Sequence, residues 1–232
     1  MPVKRTIFYK YLGHVPYEEA LILQDELHKS VLSGTIGMDG CMLLLSHEPV
    51  ITFGKYSSDK NLLVDEDRLA ELGVNLYRSS RGGDITCHEP GQLVVYPVLN
   101  LKILHLGVKD YVGMLEKAVI GFLGEFGIDG MTIKGRPGVW VGNNKIASIG
   151  INISRHVTTH GIAINIFNSL KSFGYVNPCG LSDIGITSVE RQNGECYDLE
   201  EAGIIFLKHF ETVFNISAVA YQQGNKAAGN II

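Results

Sequence analysis

Two periodicities run through the chain and divide it into helices and strands. Ala20, Leu23, Leu27 and Val31 recur at helical spacing, so residues 16–31 are expected to form a helix. Glu18 and Glu19 fall in its first turn, where the helix dipole favours acid, and Gly34 and Gly37 end it. The clearest stripe is Val108, Tyr111, Val112, Leu115, Val119, Phe122 and Phe126, which keeps the helical period until Gly127 stops it. A third stripe is Leu199, Ala202, Phe206, Phe210 and Val213, with Asp198 and Glu201 at capping-box spacing. Residues 65–72 read as a shorter helix, with Asp65 as N-cap and Gly73 past its end.

Short apolar runs mark strands at residues 8–12, 41–45, 50–53, 74–77 and 93–101. Residues 139–141 and 145–153 flank Gly142-Asn143-Asn144 and read as a β-hairpin with a three-residue turn. Period two puts Lys145, Ala147, Ile149 and Ile151 on one face, and Ile146, Ser148, Gly150 and Asn152 on the other. A further strand covers residues 160–167. Strands crowd the centre and helices are interspersed, so the expected class is α+β, with a mixed, mainly antiparallel sheet flanked by helices.

Composition puts this pattern in a folded protein. Of 232 residues, 45% are apolar and 19% charged, and the length suits one domain over residues 1–232 with an ample core. The Gly/Asn/Ala-rich tail from Gln222 is expected to be loosely held. A net charge of −4 argues against a general nucleic-acid-binding surface. No apolar run approaches the ~20 residues of a membrane span. The start, Met1-Pro2-Val3-Lys4-Arg5-Thr6, lacks the layout of a secretion signal or transit peptide, so the expected location is cytoplasmic. Cys41, Cys87, Cys179 and Cys196 are widely spaced with no C-x-x-C pair, and in a reducing compartment they read as free thiols. No His/Asp/Glu spacing suggests a metal site, and no G-x-S-x-G suggests a serine hydrolase.

Three stretches could carry chemistry. Arg81-Gly82-Gly83-Asp84-Ile85-Thr86-Cys87-His88-Glu89-Pro90-Gly91-Gln92 joins two strands. Its adjacent glycines let the backbone approach a ligand, and Arg81, Thr86, His88 and Gln92 can hydrogen-bond. It lacks the order of a dinucleotide or phosphate loop. Lys145 reads either as a solvated charge after a turn or, among Ile146-Ala147-Ser148-Ile149-Gly150, as a desolvated amine usable for proton transfer. Cys179, in Asn177-Pro178-Cys179-Gly180, reads either as a small apolar residue or as a nucleophile exposed on a sharp turn. His88 and His160 can each be structural.

Taken together these stretches resemble the lipoyl(octanoyl) transferase family, a relative of the lipoate and biotin ligases. The likeness rests on Arg81-Gly82-Gly83-Asp84-Ile85-Thr86, His88 and Pro90-Gly91-Gln92 with Tyr96-Pro97 and Leu101, on Leu12-Gly13 with Pro16-Tyr17 and Gln24, and on His47-Glu48-Pro49-Val50-Ile51-Thr52-Phe53-Gly54. It extends to Gly138-Val139-Trp140, Lys145 to Gly150, His160-Gly161-Ile162-Ala163-Ile164-Asn165 and Asn177-Pro178-Cys179-Gly180, and covers residues 12–189. The resemblance implies the α/β fold of the biotin ligases and class II aminoacyl-tRNA synthetases, with the acyl chain at the sheet. It implies transfer of an octanoyl group from octanoyl-acyl carrier protein to a lysine on the lipoyl domains of 2-oxoacid dehydrogenases and on the H protein of the glycine cleavage system. The family's nucleophile maps to Cys179 and its general acid/base to Lys145. Its acyl-binding segments map to Arg81, Gly82, Gly83, Asp84, Ile85, Thr86, Cys87 and His88, to Ser148, Ile149 and Gly150, and to Gly161, Ile162 and Ala163.

A thioester donor is already activated, so this route needs no ATP, cofactor or metal. Backbone amides at Gly82-Gly83 or Gly180 are candidates to hold the tetrahedral oxyanion. The chain departs from the family in having Cys87 for the usual tyrosine and Glu89 for the usual glycine, changes expected to bear on the acyl pocket. Cys87 also offers a second thiol. The rival readings are an ATP-dependent lipoate or biotin ligase, a silent lipoyl-domain-binding protein and a cysteine thioesterase.

Overall fold

The apolar runs build one long sheet. A computed structural model of the chain describes residues 5–36, 38–177 and 185–221. In chain order the strands are β1 (Arg5–His14), β2 (Gly40–Ser46), β3 (Val50–Phe53), β4 (Asn75–Arg78), β5 (Thr86–His88) and β6 (Gln92–Leu99). They continue with β7 (Met131–Ile133), β8 (Arg136–Val141), β9 (Asn144–Ser154), β10 (Val157–Asn165), β11 (Gly185–Ile186) and β12 (Ile216–Ala220). The helices are α1 (Tyr17–Ser33), α2 (Glu66–Glu71), α3 (Val108–Gly124), α4 (Val189–Asn193) and α5 (Leu199–Phe214).

The large sheet runs β12-β1-β2-β6-β10-β9-β8-β7, with β11 alongside β9. β1 is parallel to both β12 and β2, and the run from β2 to β7 is antiparallel. A small second sheet runs β4-β3-β5. The fold is thus α+β with a mixed, mainly antiparallel sheet flanked by helices, as the periodicity predicts.

Alternation decides which helix covers which face. Leu44, Leu93, Val95, Ile162 and Ile164 meet Leu115 and Phe122 of α3 and Phe206 and Phe210 of α5. Their neighbours Leu43, Leu45, Val94, Tyr96 and Ala163 meet Ala20, Leu27 and Val31 of α1 on the other side. A third cluster, with Ile51, Phe53 and Ile85, sits under the small sheet. Helix ends follow local chemistry. Gly34 closes α1 at φ 74, Asp65 accepts a hydrogen bond from Arg68 N at 2.8 Å, and Asp198 accepts from Glu200 N and Glu201 N. Such a cap contributes about 1 kcal/mol. No helix among the described residues is long and apolar enough to cross a membrane.

Several elements differ from the sequence reading. The stretch read as one loop between residues 81 and 92 contains β5, three residues bounded by glycine and proline and so too short to show a period. The turn of the β8–β9 hairpin holds two residues rather than three, because Asn144 already pairs with Val141. β7, β11, β12 and α4 carry no period of their own and are held by pairing or packing. The tail from Gln222 and the Pro178-Cys179-Gly180 turn lie outside the described residues.

Candidate active site

Ser148 pairs with Ala163, and Gly150 with Gly161, so the centre of β9 and β10 presents a floor nearly bare of side chains. Over it lies a cavity of about 240 Å³. That is below the roughly 300–1,000 Å³ of sites for drug-sized ligands and suits a slender group. Its walls bring together almost all of the residues singled out from sequence: Arg81, Gly82, Gly83, Asp84, Ile85, Thr86, His88, Lys145, Ser148, Ile149, Gly150, Gly161, Ile162 and Ala163. Tyr17, Tyr96, Val112, Pro137, Ile151, His160, Phe173 and Ile186 complete it. Tyr17, Tyr96 and His160 stand inside sequence motifs, but only the fold shows that they share this space.

The Arg81 loop forms one wall and is pinned from both ends. The Arg81 guanidinium is buried and donates to the Thr52 hydroxyl and carbonyl on β3, and to Gly82 O. Gly82 N donates to Ile151 O at 2.7 Å, and Lys55 N to Arg81 O at 2.9 Å. A Cβ on Gly54 would stand 2.8 Å from Arg81 Nη1, so that glycine is what lets the loop close against β3. Asp84 is spent locally, accepting from Ile85 N and Asn61 Nδ2.

Two residues reach the cavity wall through interruptions of the strand alternation. On β9, Val139 pairs with Ala147 and Trp140 with Lys145, so Ile146 is a bulged residue. Ile146 and Ala147 therefore both face the α3/α5 core, and Lys145 joins the cavity wall with Ser148 and Gly150. This corrects the simple period-two reading, which put Lys145 with Ala147. Lys145 is 9% exposed, and its Nζ lies 4.8 Å from the Trp140 ring centroid, a cation–π distance. Trp140 is held in turn by Nε1 donating to Arg136 O at 3.3 Å.

On β10 the interruption is His160, which adopts φ 57. Its neighbours Thr158 and Ile162 face the α3 side. The left-handed backbone turns His160 to the α1 side instead, edge-on to Tyr96 with ring centroids 6.2 Å apart. His160 N donates to Gln24 Oε1 on α1 at 2.6 Å, and its Nε2 meets Ser80 Oγ at 3.2 Å. His160 pairs with Ile151, six residues along β9 from Lys145. The two ends are therefore roughly 20 Å apart along the strand.

The end near His160 is a buried set of rings and amides. His47 Nδ1–H donates to Val15 O at 2.7 Å, which leaves Nε2 to accept from the Tyr96 hydroxyl at 2.8 Å. His88 Nδ1–H donates to Gln92 Oε1, and Gln92 Nε2 donates to Asn165 Oδ1, both at 2.8 Å. Asn165 Nδ2 reaches Thr187 O, just past β11, so this network ties the Arg81 loop to the strand beside Lys145. Burial holds all three histidines neutral. It pushes His47 and His160 down to about 4, with Arg81 and Lys55 adding to the effect at His160, and holds His88 well below its usual value.

Cys87 is the exception among the sequence-derived site residues. It points into the cluster under the small sheet, where its Sγ donates to Ser172 O at 3.2 Å, and it takes no part in the cavity wall. Burial, with the Glu89 carboxylate, holds its thiol well above the usual range, which suits neither acyl contact nor nucleophilic attack. Glu89 is also buried off the cavity, with Oε2 accepting from Ser169 Oγ at 2.6 Å. The two departures from the family pattern therefore sit behind the wall rather than on it. Gly82 cannot serve as an oxyanion donor, since its N–H is bound to Ile151 O at the end remote from Lys145. Cys179 and Gly180 lie outside the described residues. The chain leaves for them from Asn177, whose N donates to Asn61 O at 2.7 Å, and returns in β11, which pairs with Asn144 and Lys145.

Solved structures share this architecture. A lipoate-protein ligase A bound with ATP superposes with a TM-score of 0.74 at 14% identity, covering 97% of this chain and 91% of that one. A putative lipoate protein ligase from T. acidophilum gives 0.70 at 14%, covering 95% and 90%. The biotin protein ligase from Aquifex aeolicus in complex with biotin and ATP gives 0.55 at 15%, covering 90% and 70%. The fold class is thus that of the lipoate and biotin protein ligases. Within it, the chain belongs to the family of the lipoyl protein ligase A/B catalytic domain, whose family model matches residues 16–211. Curated relatives named octanoyltransferase include that of Maridesulfovibrio salexigens, 38% identical over 90% of this chain and 97% of the relative. Those of Desulfovibrio desulfuricans and Caldicellulosiruptor bescii are each 41% identical, covering 88% and 89% of this chain and 85% and 91% of the relatives.

Proposed function

We propose that the protein is an octanoyltransferase of lipoate biosynthesis, acting in the cytoplasm as a single catalytic domain over residues 1–232. The observation that carries this reading is the lysine at the head of a slender apolar cavity, in a chain about 40% identical to proteins named octanoyltransferase. The donor is octanoyl-acyl carrier protein. The Cys179 thiolate, its proton held on Lys145, attacks the thioester carbonyl; the new carbon–sulfur bond forms, the bond to the carrier sulfur breaks, and the carrier leaves as a thiol with the proton from Lys145. The alkyl chain lies along the Ser148/Gly150 and Gly161/Ala163 floor, with Arg81 and its loop as the facing wall.

The acceptor is a lysine of a lipoyl domain, in a 2-oxoacid dehydrogenase or in the H protein of glycine cleavage. Its amine attacks the acyl-enzyme, the bond to Cys179 breaks and an amide forms. Lys145 takes the proton that the amine loses and returns it to the cysteine sulfur, general acid/base work of a kind that contributes about a hundred- to ten-thousand-fold in rate. Two features support pairing these residues. β11, which ends the segment bearing Cys179, is hydrogen-bonded beside Lys145, and Thr187 N donates to Lys145 O at 3.0 Å.

The test is the intact mass after exposure to octanoyl-acyl carrier protein, for wild type and Cys179→Ala. One octanoyl adduct is expected on wild type and none on the variant, and a lipoyl domain should discharge it. An adduct that persists in the variant would remove Cys179 as nucleophile. Labelling of the domain only from free octanoate and ATP would make the protein a ligase.

A further inference from the structure

A lysine is a point charge on a flexible stem, and one that must hold and release a proton at a fixed place needs a seat. β8 supplies one. Trp140 pairs with Lys145 across the hairpin, so the two side chains stand on the same face of the sheet. Val139 packs into the α3/α5 core, and by alternation Trp140 faces the other way. We propose that Trp140 is a positioning residue for Lys145: its ring seats the ammonium and favours the state in which the nucleophile's proton rests on that lysine. The role rests on the transferase reading in that the nucleophile is Cys179.

Three observations support this. Trp140 is fully buried yet belongs to none of the three apolar clusters of the described residues, so its ring is not there to fill one of those cores. The ring centroid lies 4.8 Å from Lys145 Nζ, and the indole is itself fixed by Nε1 donating to Arg136 O at 3.3 Å. The lysine stem is fitted to the same strand. Gly138 takes φ 118, and a Cβ there would stand 2.5 Å from Ala147 O and 3.4 Å from Lys145 Cε. The bare backbone lets β8 close on the stem, and Gly138 N holds it there by donating to Glu116 Oε1 at 3.1 Å.

Only one protonation state gains from the ring. Lys145 is 9% exposed, and burial alone favours the neutral amine. A ring face attracts the ammonium and not the amine, the more so as water is excluded. Trp140 therefore opposes burial and keeps the proton on Lys145, which leaves the thiol as thiolate, the form that attacks a thioester. Among the described residues, the other charged groups about this space are Arg81 and Asp84 of the facing loop, Glu116 of α3 and Arg136 of β8. Arg81 is bonded to Thr52, Asp84 to Asn61 and Ile85 N, and Glu116 to Gly138 N, while Arg136 is exposed.

The test compares the unaltered ring with Trp140→Phe, which keeps a weaker one, and Trp140→Leu, which keeps an apolar side chain without one. Lys145 is followed by NMR of its carbon-13-labelled ε-methylene, assigned by its loss in Lys145→Met. A Cys179→Ala background lets the amine titrate apart from the thiol. With Trp140 in place the ε protons should lie upfield of those of the other lysines. The titration midpoint should fall by about one pH unit in Trp140→Leu and by less in Trp140→Phe. In proteins that keep Cys179, its alkylation by iodoacetamide at neutral pH should slow in the same order, by up to about tenfold. An ε-methylene with no upfield shift beside Trp140 would overturn the seat, as would a midpoint unmoved in the folded variants. The upfield shift is read with the tryptophan intact, so it decides even where the leucine variant does not fold. A midpoint that falls while alkylation of Cys179 stays unchanged would instead sink the pairing of that thiol with Lys145, and leave the seat standing.

Discussion

His47 and His160 are buried as neutral rings, and neutrality has a cost in acid. Each is pushed from 6.5 to about 4 in the fold. The unfolded chain therefore takes up protons first as the pH falls. Their contribution is whole above about pH 6.5 and is lost progressively towards about pH 4. Unfolding free energies from urea titration should hold steady down to about pH 7 and fall below it, by about 2 kcal/mol per histidine at about pH 5. His47→Gln should flatten part of that slope, and a slope unchanged in that variant would mean that His47 titrates normally. Lys145→Ala should lower octanoyl transfer by about a hundred- to ten-thousand-fold, with a melting curve close to wild type in shape. At this scale the sequence was informative about identity and silent about direction. Arg81, His88 and Lys145 are legible from their motifs. That Cys87 turns its back on the cavity while its neighbours Thr86 and His88 face it follows from β5 alternation, which three residues cannot display.

Among elements, β9 and β10 do the most to shape the site, and each does so by breaking its own period. The bulge at Ile146 sends Lys145 to the cavity, and the left-handed backbone at His160 turns that ring to the α1 side of the wall. Hydrophobic periodicity reads regular strands well, which is why β2, β3 and β10 were foreseeable, but an irregular residue is by nature invisible to it. The floor itself depends on bare backbone. A Cβ on Gly161 would stand 2.7 Å from Pro97 Cδ in β6, and one on Gly54 2.8 Å from Arg81 Nη1. Overpacking of this kind costs about 1–3 kcal/mol. Gly161→Ala should therefore lower the unfolding free energy from urea titration by that amount, because β6 is buried and cannot yield. Gly54→Ala should instead release the Arg81 loop, with transfer falling more than stability. Equal losses in both quantities for Gly54→Ala would argue that the loop is not held through β3.

For the whole molecule, the cavity lies on the seam between the large sheet and the loop that leads into the small one, so its occupant touches both. Occupancy should couple them. Octanoic acid at about a hundred times its dissociation constant should stabilise the protein by about 2.7 kcal/mol, or roughly 5–10 °C in Tm for a chain of this size. A Tm indifferent to the acid, in a protein that still transfers octanoyl groups, would place the chain outside the cavity. The sheet order could not be read from sequence. β12 comes last in the chain yet pairs parallel with β1, and nothing in either run names its partner.

The two-residue pairing of β11 with Asn144 and Lys145 has a kinetic consequence. It joins positions far apart in the chain through very few hydrogen bonds, so closing that loop returns little for the freedom it removes. Contacts of that kind form late in folding. During refolding, the far-UV signal of the sheets and helices should recover first. The return of acyl transfer should follow as a separate, slower phase, as the strand beside Lys145 settles into place.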